Sequence, residues 1–203
     1  SIWVTGVQTC ALPIYLHIGH KEAIIVDARW NGGGSFADYY IDILRRAGIG
    51  QFATRYGRDQ RVPRGAILGP KVLVANKMAR SGGDLLAYMF RKLQLGPIVG
   101  TTTTGALVGN IGAPQLMDGG LVTAPNFAFW TEQEGWAVEN AGVPPDVEVE
   151  QWPAAVNAGH DPQLEKAIET TLQLLPGTAP TQPTRPPYPD YMEIGRASCR
   201  ERV

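Results

Sequence analysis

Apolar positions along the chain fall into two regimes. Residues 22–28 (EAIIVDA), 71–76 (KVLVAN) and 97–100 (PIVG) are short, continuously apolar runs bounded by turn residues. Their Val and Ile content predicts strands buried on both faces of a parallel sheet. The segments between them carry helical spacing. One helix is expected from Phe36 to Gly48. A second is expected from a turn at Ser81 to about Leu95, with Leu85, Met89 and Leu93, and Leu86 and Phe90, four residues apart on one face. A third opens at Asp161-Pro162, an N-cap followed by proline at the first helical position. It runs to about Leu175 with Leu164, Ile168 and Leu172 on one face. Val147–Glu150 reads as a short strand. Residues 121–131 (LVTAPNFAFWT) read as another, entered from the MDGG turn and broken at Pro125. Residues 49–70 form a polar, basic surface excursion, and 176–191 a proline- and threonine-rich tail. Strands alternating with helices make the fold class α/β with a mainly parallel sheet.

Composition changes this picture at the ends. Ala-Leu-Pro-Ile (11–14) can be encoded by GCTCTTCCGATC, whose reverse complement, read in a shifted frame, encodes the Ile-Gly-Arg-Ala found at 194–197. We read 1–14 and 193–203 as translated sequencing adapter, outside fold reasoning. Cys10 and Cys199 both lie there, so the remainder has no cysteine for a disulfide, a zinc cluster or a thiol nucleophile. A formal net charge of −1 implies no nucleic-acid partner, and no apolar run is long enough to span a membrane. No metal or cofactor is implied. At 203 residues the chain can bury one sizeable core.

Candidate chemistry gathers at strand ends. Ser81 stands where a strand turns into a helix, with Gly82 and Gly83 behind it. Outward-pointing amides at a helix start favour developing negative charge, which suits an acyl-transfer nucleophile with an oxyanion donor. A plain serine N-cap is the other reading. RWNGGGS (29–35) follows the first strand, and its glycines bring backbone amides close to a ligand. That ligand could be a phosphate or a substrate main chain, or the loop could simply reverse the chain. No Gly-Lys-Ser/Thr or GxGxxG accompanies it, which weighs against a nucleotide. TTTTGALVGNIG (101–112) is a flexible loop after a strand end, the usual border of a ligand crevice. Glu139, between Val138 and a turn at Asn140, is either a half-buried acid beside that crevice or a surface acid. His17, His20 and His160 read as loop residues.

Taken in order, IIVDARWNGGG, NKMARSGGD, GPIVGTTTTGALVG, LMDGGLVTAP, FAFW and VENAGVPPDVEVE resemble the C-terminal catalytic domain of the tricorn-type peptidases. These belong to the carboxyl-terminal-processing serine peptidases. The likeness runs from about Lys21 to Leu175, inside a catalytic domain of residues 15–175. It implies a crotonase/ClpP-like layered ββα fold. It implies Ser81 as nucleophile, the amides of Gly34 and Gly82 as oxyanion hole, and Glu139 as the acid that orients the catalytic histidine. Gly32, Gly33, Gly34 and Leu107, Val108, Gly109 would hold the substrate backbone. The implied reaction is hydrolysis of peptides or unfolded polypeptides through an acyl-enzyme. The implied partners are a peptide substrate, a histidine-bearing domain and a PDZ domain upstream, and further copies of the parent chain. The implied compartment is the cytoplasm, with the periplasm as alternative.

Three positions depart from the family pattern. Gly82 replaces an acidic residue of which only the amide is needed, Arg80 replaces a small residue, and the position that would set a trypsin-like preference falls near Phe52. None of the chain's histidines matches the family base, so the isolated chain is expected to be inactive. A non-catalytic peptide-binding or assembly domain is the competing reading. An acyl-CoA enzyme is a further one, since crotonase-like folds also use glycine amides as oxyanion donors.

Overall fold

The computed structural model describes residues 2–6, 21–178 and 183–188. His17, His20, Cys10, Cys199 and the segments 7–14 and 193–203 lie outside them. In chain order the elements are β1 (Ile2–Gly6), β2 (Ala23–Asp27), α1 (Ala37–Leu44), β3 (Gly50–Phe52), β4 (Gln60–Val62), β5 (Lys71–Ala75), α2 (Gly82–Lys92), β6 (Ile98–Gly100), β7 (Trp130–Thr131), β8 (Gly135–Trp136), β9 (Val147–Glu148), α3 (Pro153–Asn157) and α4 (Pro162–Thr178). A parallel five-stranded sheet in the order β1-β2-β5-β6-β9 forms the centre. β1 lies within the segment read as adapter and pairs with β2 from Ile2↔Ala23 to Gly6↔Asp27.

The apolar runs divide by alternation, as a pleated strand requires. Ile24, Val26, Leu73, Ala75 and Ile98 face one side, where they pack with Ile41 and Leu44 of α1 and Leu86, Ala87 and Phe90 of α2. Ile25, Val72, Val74 and Val99 face the other, against Ala167, Leu164 and Leu174 of α4. The sheet is therefore covered by helices on both faces, as the continuous apolar runs required.

Several elements differ from expectation. Leu93 is exposed, because α2 turns Leu86 and Phe90 to the sheet while Leu85 and Met89 pack at the margin. Ile168 and Leu172 are exposed too; α4 buries Gln163, Ala167 and Thr171 instead. Small and hydroxyl side chains let that helix approach the sheet, and the Thr171 hydroxyl satisfies itself by donating to the Ala167 carbonyl (2.7 Å). α4 also continues through Pro176 to Thr178, and α3 was not expected at all. The run 121–131 forms no continuous strand. It touches the chain at isolated bridges, Gln115↔Leu121 and Gly109↔Phe127, and pairs only at β7 with β8. Residues 49–64 are an exposed excursion as expected, with a short antiparallel pair, β3 and β4, on it, but the chain then turns inward and buries Ala66 and Ile67, the latter in the core.

Candidate active site

The site lies at the carboxyl ends of β2, β5 and β6, where three loops converge. Asn76, at the end of β5, is buried, and its Oδ1 accepts the amides of Trp30 (3.3 Å) and Met78 (3.1 Å). That one side chain joins the loop after β2 to the loop after β5. The Arg80 amide then donates to the Asn31 carbonyl (2.9 Å), and Asn31 Oδ1 accepts the Gly33 amide (3.0 Å). The glycine loop is thereby laid across the start of α2.

Ser81 is the first consequence. Its backbone stands at φ +55°, ψ −118°, a region that side chains rarely occupy. Such strain persists only where surrounding bonds impose it, and it marks the sharp strand-to-helix turns that expose a nucleophile. The Ser81 amide donates both to the Ala106 carbonyl (3.0 Å) and to Asp84 Oδ2 (2.8 Å). The glycine loop closes over the serine. A Cβ on Gly33, which sits at φ +113°, would stand 2.7 Å from Ser81 Cβ and 3.0 Å from its Oγ. A Cβ on Gly82 would overlap the Gly34 carbonyl oxygen and lie 2.9 Å from the Gly34 nitrogen. The backbones of Gly33, Gly34, Ser81 and Gly82 are thus brought together, and their contact admits no side chain at Gly33 or Gly82. Gly32 is at the exposed start of this loop.

Glu139 arrives from the far side. It is half-buried between Val138 at φ +73° and Asn140 at φ +61°, and a β-branched residue there is a marked outlier. Glu139 Oε2 accepts the amides of Leu107 and Val108, each at 2.7 Å. The Gly109 amide donates to the Phe127 carbonyl (3.0 Å). So the amides of Leu107, Val108 and Gly109 all have partners within the chain, and the acid and this segment form one unit.

Asp84 is the residue that sequence reasoning missed. It is fully buried in the first turn of α2, and besides Ser81 it accepts the amides of Gly105 (2.8 Å) and Ala106 (3.1 Å). The available signal was an acid three positions after a helix-capping serine. Arg29 was also overlooked. Its guanidinium binds Asp27 (2.7 Å) and Asp161 (2.7 Å), joining the end of β2 to the cap of α4. Burial acts to lower the Arg29 pKa, but the bonds from both carboxylates outweigh it and hold the charge on. Partial burial likewise acts to raise the Asp161 carboxyl; the Arg29 bonds and the Leu164 amide outweigh it and hold it below the usual carboxylate range. His160 lies at the head of α4 with its Nδ1 3.1 Å from Glu165 Oε1, outside the serine cluster. Among the described residues, no cluster of His, Cys, Asp and Glu is built to hold a metal ion.

A parallel α/β sheet with a strained serine under a glycine loop defines the class. The model of Peptidase family S41 matches residues 15–149, and the chain belongs to that family. Within it the chain is 42% identical over 167 residues to Tricorn protease homolog 1 of Streptomyces coelicolor, covering 82% of this chain and 16% of that protein. It is 37% identical over 162 residues to the Tricorn protease of Thermoplasma acidophilum, covering 80% and 15%. The crystal structure of the tricorn protease superposes with a TM-score of 0.77 at 36% identity, over 81% of this chain and 16% of that one. The photosystem II D1 C-terminal processing protease shares the fold, with a TM-score of 0.51 at 23% identity over 73% of this chain and 41% of that one. The chain therefore spans about one sixth of the length of the tricorn relatives it matches.

Proposed function

We propose that this segment carries the nucleophile half of a serine peptidase site. Ser81 attacks the scissile carbonyl of a peptide or unfolded polypeptide and forms an acyl-enzyme that water then hydrolyses. The amides of Gly34 and Gly82 receive the oxyanion. The substrate backbone lies along Gly32–Gly34 and Leu107–Gly109, and Glu139 orients the base. The observation that carries this reading is the strained Ser81 backbone packed against Gly33, with Gly34 and Gly82 in contact beside it. Strain held at a side chain that bears a nucleophile is a feature of functional sites, and oxyanion donors must converge from separate segments, as the loops after β2 and β5 do here.

The general base comes from a preceding histidine-bearing domain of the parent protein, which also carries a PDZ domain and assembles into homo-oligomers in the cytoplasm. Triad chemistry without its base loses most of its rate. We expect the isolated 203-residue chain to show no turnover. The test is labelling of the full-length protein by a fluorophosphonate. Attachment at Ser81, abolished by Ser81→Ala, supports the peptidase. Peptide binding with no labelling of the intact protein would instead mark a binding domain that has lost its chemistry.

A further inference from the structure

We infer that Asp84 is a positioning residue, which locks the Ser81 backbone and the strip 105–108 into one rigid unit. The inference rests on the peptidase reading above and concerns the same site. Asp84 is 0% exposed, and among the described residues no cationic side chain pairs with it. An ionised carboxylate taken out of water is costly unless hydrogen bonds replace its hydration. Its two oxygens are given over to backbone amides from two separate segments. Oδ2 accepts Ser81 (2.8 Å) and Ala106 (3.1 Å), and Oδ1 accepts Gly105 (2.8 Å). A carboxylate is the side chain that can do this, since it is acceptor-only on both oxygens. Its place in the first turn of α2 adds the favourable helix dipole.

The pattern continues along the strip. Glu139 takes the next two amides, Leu107 and Val108. Four consecutive amides, 105 to 108, are therefore held by two carboxylates. The returning bond from the Ser81 amide to the Ala106 carbonyl closes the Asp84 end into a ring. The spacing between the serine and the segment that would hold the substrate cannot relax without breaking hydrogen bonds to a buried carboxyl group. Acyl transfer is sensitive to such spacing, because a misplacement of about 1 Å costs about 10²-fold in rate.

Two measurements test this. In the full-length protein, Asp84→Asn keeps the side-chain shape but turns an N–H₂ group toward an amide donor. We expect kcat to fall about 10²-fold, with KM little changed because Leu107, Val108 and Gly109 keep their own partners. In this chain, amide hydrogen exchange followed by NMR should show Ser81, Gly105 and Ala106 exchanging as one block. In Asp84→Asn all three lose protection together while the core of β2 and β5 keeps its own. A wild-type kcat in Asp84→Asn, or a loss of activity that only tracks thermal unfolding, overturns the inference. Unrelated exchange rates of the three amides in the wild-type chain overturn it as well, and that result stands even if the variant does not fold. An intact protein without turnover counts against the peptidase reading alone, and the exchange experiment then decides the role of Asp84.

Discussion

Ser81 keeps a backbone conformation that costs on the order of 1–3 kcal/mol, because its amide is bound twice and its neighbours leave no room to relax. Gly82 shows how narrow that room is. An added methyl meets the Gly34 carbonyl oxygen directly, so Gly82→Ala pushes the glycine loop off the helix start. We expect fluorophosphonate labelling of the full-length protein to drop about 10²-fold or more, the usual cost of losing one oxyanion donor. A labelling rate equal to wild type would show that the two amides do not act together. Glu139 can be probed by a pair of substitutions. Glu139→Ala leaves the Leu107 and Val108 amides without an acceptor, a loss of about 1–3 kcal/mol, and peptide affinity should weaken about tenfold or more. Glu139→Gln retains an acceptor oxygen and should hold peptide far better while still losing catalysis. Titration of this chain with a peptide reads the affinity and fluorophosphonate labelling of the full-length protein reads the catalysis, and equal affinity in both variants would detach Glu139 from the binding strip.

Between elements, the bond from β2 through Arg29 to the cap of α4 responds to pH. The Asp161 carboxyl is held below its unfolded value, so its contribution is complete above about pH 4 and is lost as pH falls through the lowered folded value. Asp161→Asn should be less stable than wild type at neutral pH, with the gap closing in acid. Denaturant melts of both proteins from pH 7 to 3 measure it, and a gap independent of pH would remove the carboxylate from the account. The contact of α2 with the sheet is instead apolar. Phe90 is fully buried among residues of α1, α2 and the strands, and Phe90→Ala should cost about 3–5 kcal/mol in a urea melt. On the outer side of α2, Tyr88 donates to Glu134 (2.8 Å), Lys92 pairs with the same carboxylate, and Tyr88 meets Phe129 edge-on. These contacts hold the β7–β8 arm; the exposed Lys92–Glu134 pair contributes little to stability, whereas Tyr88 and Phe129 are half-buried against the core.

Over the whole molecule, the assembled site lies at one end of the sheet, and the chain spans about one sixth of the length of its tricorn relatives. We expect the full-length protein to react with a fluorophosphonate at Ser81 and this chain alone not to. Turnover by this chain alone, abolished by Ser81→Ala, would overturn the need for an outside base. The strands and the helix after Ser81 were legible from the residues because burial on both faces leaves a local trace, namely continuous apolar runs and four-residue spacing. α4 misled at Ile168 and Leu172 because its buried face is made of Gln163, Ala167 and Thr171, which carry no apolar signal. The run 121–131 has the composition of a strand, yet it lacks a neighbouring strand to pair with along most of its length. The family likeness and the ordered motifs singled out Ser81, Gly34, Gly82 and Glu139 from the sequence by itself. Only the tertiary structure decided what grips them. Asp84 and Glu139 choose their amide partners across 21 and 32 residues of chain, and such bonds exist only after β5, β6 and the loops beyond them have been brought to one end of the sheet.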